Sequence, residues 1–211
     1  MTIRNWLFLF FTTLVLGGAA ALLFGFLLEL FMGQMGLSLP QRLLGGLLFG
    51  AVAQMGLFAY SIFNWVAKGF FRKAFWFNIV QVLLIILVLG EVIVFGYISD
   101  AEGRILVPEA LAGLITLAAG LSVAFWNAKS SDRRDFVPTL FFMVVATLLE
   151  SGTALKQESP MMMMYTVMTL LVCNAWQILW VHRLAVPPKP AGNNKRKKKG
   201  VGVPATAGPK K

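Results

Sequence analysis

Six apolar stretches dominate this 211-residue chain and decide what it can become: roughly residues 6–28, 43–67, 75–98, 107–127, 136–155 and 161–181. Each is near the ~20 residues that a helix needs to cross a bilayer core. Only 13% of the residues are charged, and mean hydropathy is +0.75. A soluble domain carries about 25% charged residues, so the composition points instead to an integral membrane protein. The separators hold Gly, Pro, Ser and charge, and they are too short for a further domain. The expected architecture is all-α: a polytopic membrane protein whose residues 1–185 form a six-helix transmembrane bundle with short loops.

The net charge of +10 would suggest nucleic acid in a soluble protein. Here the basic residues sort by loop instead. With the N-terminus cytoplasmic, Arg4, Lys68, Arg72, Lys73, Lys129, Arg133, Arg134 and nine residues from Arg183 to Lys211 lie inside. That is 16 of the 19 Lys and Arg, leaving Arg42, Arg104 and Lys156 outside. The positive-inside bias therefore puts both termini in the cytoplasm, with no nucleic-acid partner. Trp6, Trp65, Trp76, Trp126, Trp176 and Trp180 all fall toward the same face, where indoles anchor among headgroups. Arg4 and Ala19-Ala20-Ala21 imitate a secretory signal, but the apolar run continues to Leu28 and favours an uncleaved anchor.

From Pro187 the chain changes character. Residues 186–211 hold several Pro and Gly and the run Lys195-Arg196-Lys197-Lys198-Lys199, a composition that buries no core and predicts a disordered cytoplasmic tail. Such a run is suited to anionic lipid, at ~1 kcal/mol per basic residue near the surface. A solvated tail that fixes topology is the plainer reading. Without the tail's basic residues the membrane body is nearly neutral, with 10 basic residues against nine acids.

Polar residues inside apolar spans carry most of the remaining information. Glu91 and Glu150 lie about 24 and 21 Å along their spans from the inner ends, which places both in the outer half. Intramembrane carboxylates serve as proton carriers or cation ligands; the competing reading is that each snorkels to the outer interface. Gln54 lies near a midplane. Asn78 and Gln81 share one face at i,i+3, as do Asn174 and Gln177, and both pairs fall in the cytoplasmic half. Hydrogen bonds between them would be structural glue worth below ~2 kcal/mol each, and a polar cavity is the sharper alternative. Gly17, Ala21 and Gly25 recur every fourth residue, and Gly46 and Gly50 form a GxxxG pair, the pattern of close helix packing.

Catalysis finds no footing. The chain has no HExxH, GxSxG or P-loop. One cysteine, Cys173, and one histidine, His182, preclude an intrachain disulfide, a Cys-based zinc cluster and a paired-His metal site. No metal, no cofactor and no catalytic residue is expected.

Four segments have a familiar order and spacing: Ala53-Gln54-Met55-Gly56-Leu57-Phe58-Ala59-Tyr60; Trp76 with Val80-Gln81-Val82-Leu83-Leu84; Phe141-Phe142-Met143-Val144-Val145-Ala146-Thr147-Leu148-Leu149-Glu150; and Cys173-Asn174-Ala175-Trp176-Gln177. Together they resemble the KinB-signalling pathway activation (KbaA) family of endospore-forming bacteria, over about residues 1–185. The resemblance implies a multi-pass protein of the bacterial cell membrane, needed for a membrane sensor histidine kinase to feed the sporulation phosphorelay. It carries over no catalytic or ligand residues, and it does not include the Lys-rich tail.

Three functions follow as expectations. The first is a non-enzymatic regulator that contacts the kinase's transmembrane helices, through a groove such as Gly46–Gly50, and biases its active state. The second is a small secondary transporter or membrane solute sensor built on Glu91, Glu150 and the amides. The third is a chaperone for the kinase.

Overall fold

The structure, a computed structural model, describes residues 3–71, 74–101, 107–130, 133–152 and 159–185. Among these every regular element is helical: α1 (Ile3–Met32), α2 (Leu39–Phe70), α3 (Ala74–Ala101), α4 (Val107–Ser130), α5 (Phe136–Glu150) and α6 (Pro160–Ala185). Five of them are long and apolar enough to cross a membrane; α5 is the exception. The tail, including Lys195–Lys199, lies outside the described residues.

The fifth apolar stretch therefore differs from expectation. It was expected to run as one span over 136–155, yet its helix ends at Glu150 after about 22 Å, short of a ~30 Å hydrocarbon core. Ser151 and Gly152 turn the chain, with Ser151 N donating to Thr147 O (2.9 Å) and Gly152 N to Leu149 O (3.2 Å). Within α5, residues Phe142–Ala146 form a π turn. Uninterrupted hydropathy hid both the stop and the change of winding.

α1 and α2 form a tight antiparallel hairpin. The turn between them uses Gly33 (φ +98°) and Gly36 (φ +71°), left-handed positions that disfavour a side chain. Ser38 and Pro40 then start α2, with Ser38 N donating to Gln41 Oε1 at 2.9 Å. Down the hairpin the two backbones touch. A Cβ on Gly17 would collide with Gly46 O; one on Gly46 would stand 2.5 Å from Ala21 Cβ; one on Gly50 would stand 3.0 Å from Thr13 O. Gly25 leaves room for Arg42, whose Cδ would lie 3.0 Å from a Cβ there. The small-residue positions thus face each other within one chain. α1 fills the Gly46–Gly50 groove, so that groove is closed to a kinase helix.

An ion pair locks the turn end of the hairpin. Arg42, only 5% exposed, pairs with Glu29 and also donates from Nε to Leu37 O at 3.0 Å. Tyr165 of α6 donates its hydroxyl to Arg42 O at 3.0 Å, which ties the third helix to the pair.

α6 runs through the middle of the bundle: 67% of its apolar window is buried, against 28–33% in the other four long helices. Its side chains Met163, Val167 and Ile178 meet Leu9, Leu57, Ala112, Phe142 and Met143 in the main core. α3 sits to one side, where Ile85, Val88 and Val92 pack on Phe141, Val144, Val145 and Leu148. Trp6 stacks on Phe58 at 4.9 Å, and Phe8 meets Trp180 edge-on at 5.8 Å. The start of α1 and the end of α6 therefore lie at one end of the bundle. The tryptophans divide: Trp65, Trp76 and Trp126 are exposed, whereas the Trp176 indole donates to Thr12 Oγ1 at 3.2 Å.

Backbone contact at Gly46 makes a quantitative prediction. Gly46→Ala, inside α2, gains at least as much helix propensity as Gly69→Ala in its last turn, but a Cβ on Gly69 meets nothing within 4 Å. Gly46→Ala should be less stable than Gly69→Ala by about 1–3 kcal/mol, the usual cost of overpacking. Thermal unfolding in detergent would show this; equal stability of the two variants would contradict the close contact.

Candidate functional site

The interior of a membrane bundle has no water to satisfy stray polar groups, so polar side chains there must find one another. Two clusters do so along α6. The first joins three helices around Gln54 and Gln177. Gln54 Nε2 donates to Thr13 Oγ1 (3.2 Å) and Leu9 O (3.3 Å) on α1. The Gln177 amide, oriented by its neighbours, donates from nitrogen to Ala53 O at 3.0 Å and accepts from Gln54 Nε2 at 3.3 Å. Both glutamines are buried. The two hydrogens of Gln54 Nε2 are shared among three acceptors, and no buried amide atom of either glutamine is left without a partner.

The second cluster surrounds the end of α5. Thr147 and Glu150, three residues apart, share a helix face. Asn174 Nδ2 of α6 donates to Thr147 Oγ1 at 3.0 Å and to Glu150 Oε2 at 2.8 Å. On the opposite side the carboxylate abuts α2 at Gly56, where a Cβ would collide with Glu150 Oε1. The π turn just upstream sets this aim, because one residue more or less rotates the following face by about 100°. Two buried acceptors are left over: Glu150 Oε1 and Asn174 Oδ1 have no hydrogen-bond partner. Among the described residues Glu150 has no ion-pair partner either.

These contacts correct several expectations. Glu150 does not snorkel outward; its carboxylate reaches Asn174, about 21 Å along α6 from that helix's start. The reason is the early end of α5. Glu91 does not join it, and its side chain is exposed on α3. The two amide pairs do not bond to each other: Asn174 and Gln177 are engaged as above, while Gln81 is fully buried on α3 with both amide atoms unpartnered. Asn78 of α3 is half-buried. Sequence reasoning missed Thr13, Gly56, Thr147 and the Arg42–Glu29 pair. Thr and Gly give little polarity signal in an apolar run, and Arg42 and Glu29 read only as charges toward the outer side.

Other hydrogen bonds hold α5 at its start. Asn127 Nδ2 of α4 donates to Thr139 Oγ1 at 2.8 Å, and the Tyr60 hydroxyl of α2 donates to Pro138 O at 3.2 Å. Segments 53–60, 141–150 and 173–177 thus converge on one region, where Gly56, Glu150 and Asn174 meet.

A family model described as KinB-signalling pathway activation in sporulation (KbaA) matches residues 17–184. The chain belongs to the KbaA family. It is also 28% identical over 141 residues to the KinB-signaling pathway activation protein of Bacillus subtilis (strain 168), an alignment that covers 66% of this chain and 71% of that protein. No solved structure matches it.

The site can be probed through its two neighbours. Asn174→Ala leaves Thr147 and Glu150 without their shared donor and should cost about 1–3 kcal/mol of stability. Gly56→Ala should cost at least as much, because the methyl evicts the carboxylate. Thermal unfolding beside Gly69→Ala measures both; variants as stable as Gly69→Ala would argue against this placement.

Proposed function

We propose that this chain is a non-enzymatic, multi-pass protein of the bacterial cell membrane that promotes activation of a KinB-type sensor histidine kinase feeding the sporulation phosphorelay. Membership of the KbaA family over residues 17–184 is the observation that carries this reading. Five long apolar helices support membrane insertion. The meeting of Phe8 with Trp180 supports both termini on one side, and the positive-inside bias makes that side the cytoplasm. A polybasic run such as Lys195–Lys199 on that side would suit anionic lipid.

An activator biases a kinase only if it binds the active state more tightly than the inactive one. Contact with the kinase must use the outer faces of the bundle, since α1 already fills the glycine groove of α2. A second reading is favoured by one observation, the unsatisfied carboxylate at the end of a short helix. Secondary transporters place ligands at interrupted helices near the bilayer midplane, and Glu150 stands at the end of a helix that stops short.

Kinase amount and kinase phosphorylation, measured separately with and without this protein, test the primary reading. Loss of the protein should lower phosphorylation several-fold at constant kinase amount. A matching fall in kinase amount would make it a chaperone instead. For the carboxylates, Glu150→Gln should reduce signalling at normal protein level, whereas Glu91→Gln should leave it unchanged. Equal effects of the two would remove the special role given to Glu150.

A further inference from the structure

Within the buried polar centre, donors and acceptors do not balance. No buried amide atom of Gln54 or Gln177 lacks a partner, whereas around Glu150 two acceptors do. Asn174 Nδ2 spends both its hydrogens, on Thr147 Oγ1 and Glu150 Oε2. Glu150 Oε1 and Asn174 Oδ1, both shielded from solvent, remain without a donor. Asn174 itself is fully buried. The Cα of Gly56 closes one wall, and a glycine there leaves the carboxyl seated against bare backbone. The C-terminal end of α5 adds the negative pole of its helix dipole. Two buried oxygens without donors, one of them on a carboxylate, beside a helix C-terminus leave this part of the low-dielectric interior short of positive charge.

We propose that Glu150 and Asn174, at the broken end of α5, form a binding site for a small monovalent cation, an alkali-metal ion or a proton. Oxygen donors are the ligands that hard cations take. One carboxylate neutralises one positive charge, and a divalent ion at the same place would leave an uncompensated charge in the bundle. A proton meets the same need by turning Glu150 into a donor. Among the groups around the carboxyl, α2 presents Gly56, α5 presents Thr147, and α6 presents Asn174 and the Cys173 thiol, which lies within electrostatic reach. The nearby Tyr60 hydroxyl is committed to Pro138 O. Among the described residues none of these is a cation that could already fill the site. The proposal rests on Glu150 as an intramembrane polar site, and it stands or falls independently of kinase activation.

Anything that binds the folded state and not the unfolded one stabilises the fold. The full-length chain in lipid nanodiscs is melted in choline chloride at constant ionic strength, first with choline replaced stepwise by sodium or potassium at fixed pH. A second series varies pH in choline chloride alone. An alkali-metal occupant should raise Tm saturably in the first series, by about 2–4 °C or more. A proton occupant should leave the first series flat and raise Tm as pH falls. Glu150→Gln should abolish whichever response the wild type gives. A wild type and Glu150→Gln that behave alike in both series would overturn the proposal. Should Glu150→Gln fail to fold, infrared difference spectra of the wild type answer the same question. A carboxyl band that changes with added alkali ion or with pH supports the site; carboxyl and carboxylate bands unchanged by either overturn it.

Discussion

Contact between the backbones of α1 and α2 at Gly17 and Gly46 is the constraint from which the interior follows. Lipid tails are as apolar as leucine, so helices in a bilayer gain little from hydrophobicity when they associate. Close van der Waals packing must hold them, and only glycine allows this approach: a Cβ on either residue would enter the other's carbonyl. Because the backbones touch, Gln54 of α2 reaches Leu9 O and Thr13 on α1. The remaining side of α2 then offers Ala53 O to Gln177 and the bare Gly56 to Glu150.

The polar centre is thus a consequence of tight packing as much as a complement to it. α6 supplies Asn174 and Gln177 from the most buried position in the bundle, and each side chain bonds to a different neighbour. Buried polar networks rigidify a core when every member is satisfied. Here the glutamine half meets that condition and the carboxylate half does not. That asymmetry is why the proposed cation site falls on Glu150 rather than on Gln54 or Gln177.

Much of this was legible from the order of apolar and polar residues. Helices and their number follow from stretches near 20 residues long. Gly17, Ala21, Gly46 and Gly50 stood out by spacing alone, although spacing could not say that their partners lay in the same chain. Glu150, Gln54, Asn174 and Gln177 stood out because polar groups are costly in such spans. The inward aim of Glu150 was not legible, since hydropathy registers neither a π turn nor a Ser-Gly stop inside an apolar run. Partners were missed where they were small: Gly56 matters for what it lacks, and Thr147 and Thr13 blend into an apolar stretch. Arg42 and Glu29 read only as charges toward the outer side because each lies beside the glycine-rich turn, and only the folded hairpin brings them together.

The carboxylate of Glu150 sits inside the bundle and not at its outer end. Substituted-cysteine labelling tests this most directly, with a membrane-impermeant maleimide added outside intact cells. Ser159, exposed at the start of α6, supplies the reference position. A Ser159→Cys variant should label rapidly, and a Glu150→Cys variant should resist labelling until the protein is denatured. Labelling of the two at similar rates would place residue 150 at the surface and rule out a buried carboxylate there.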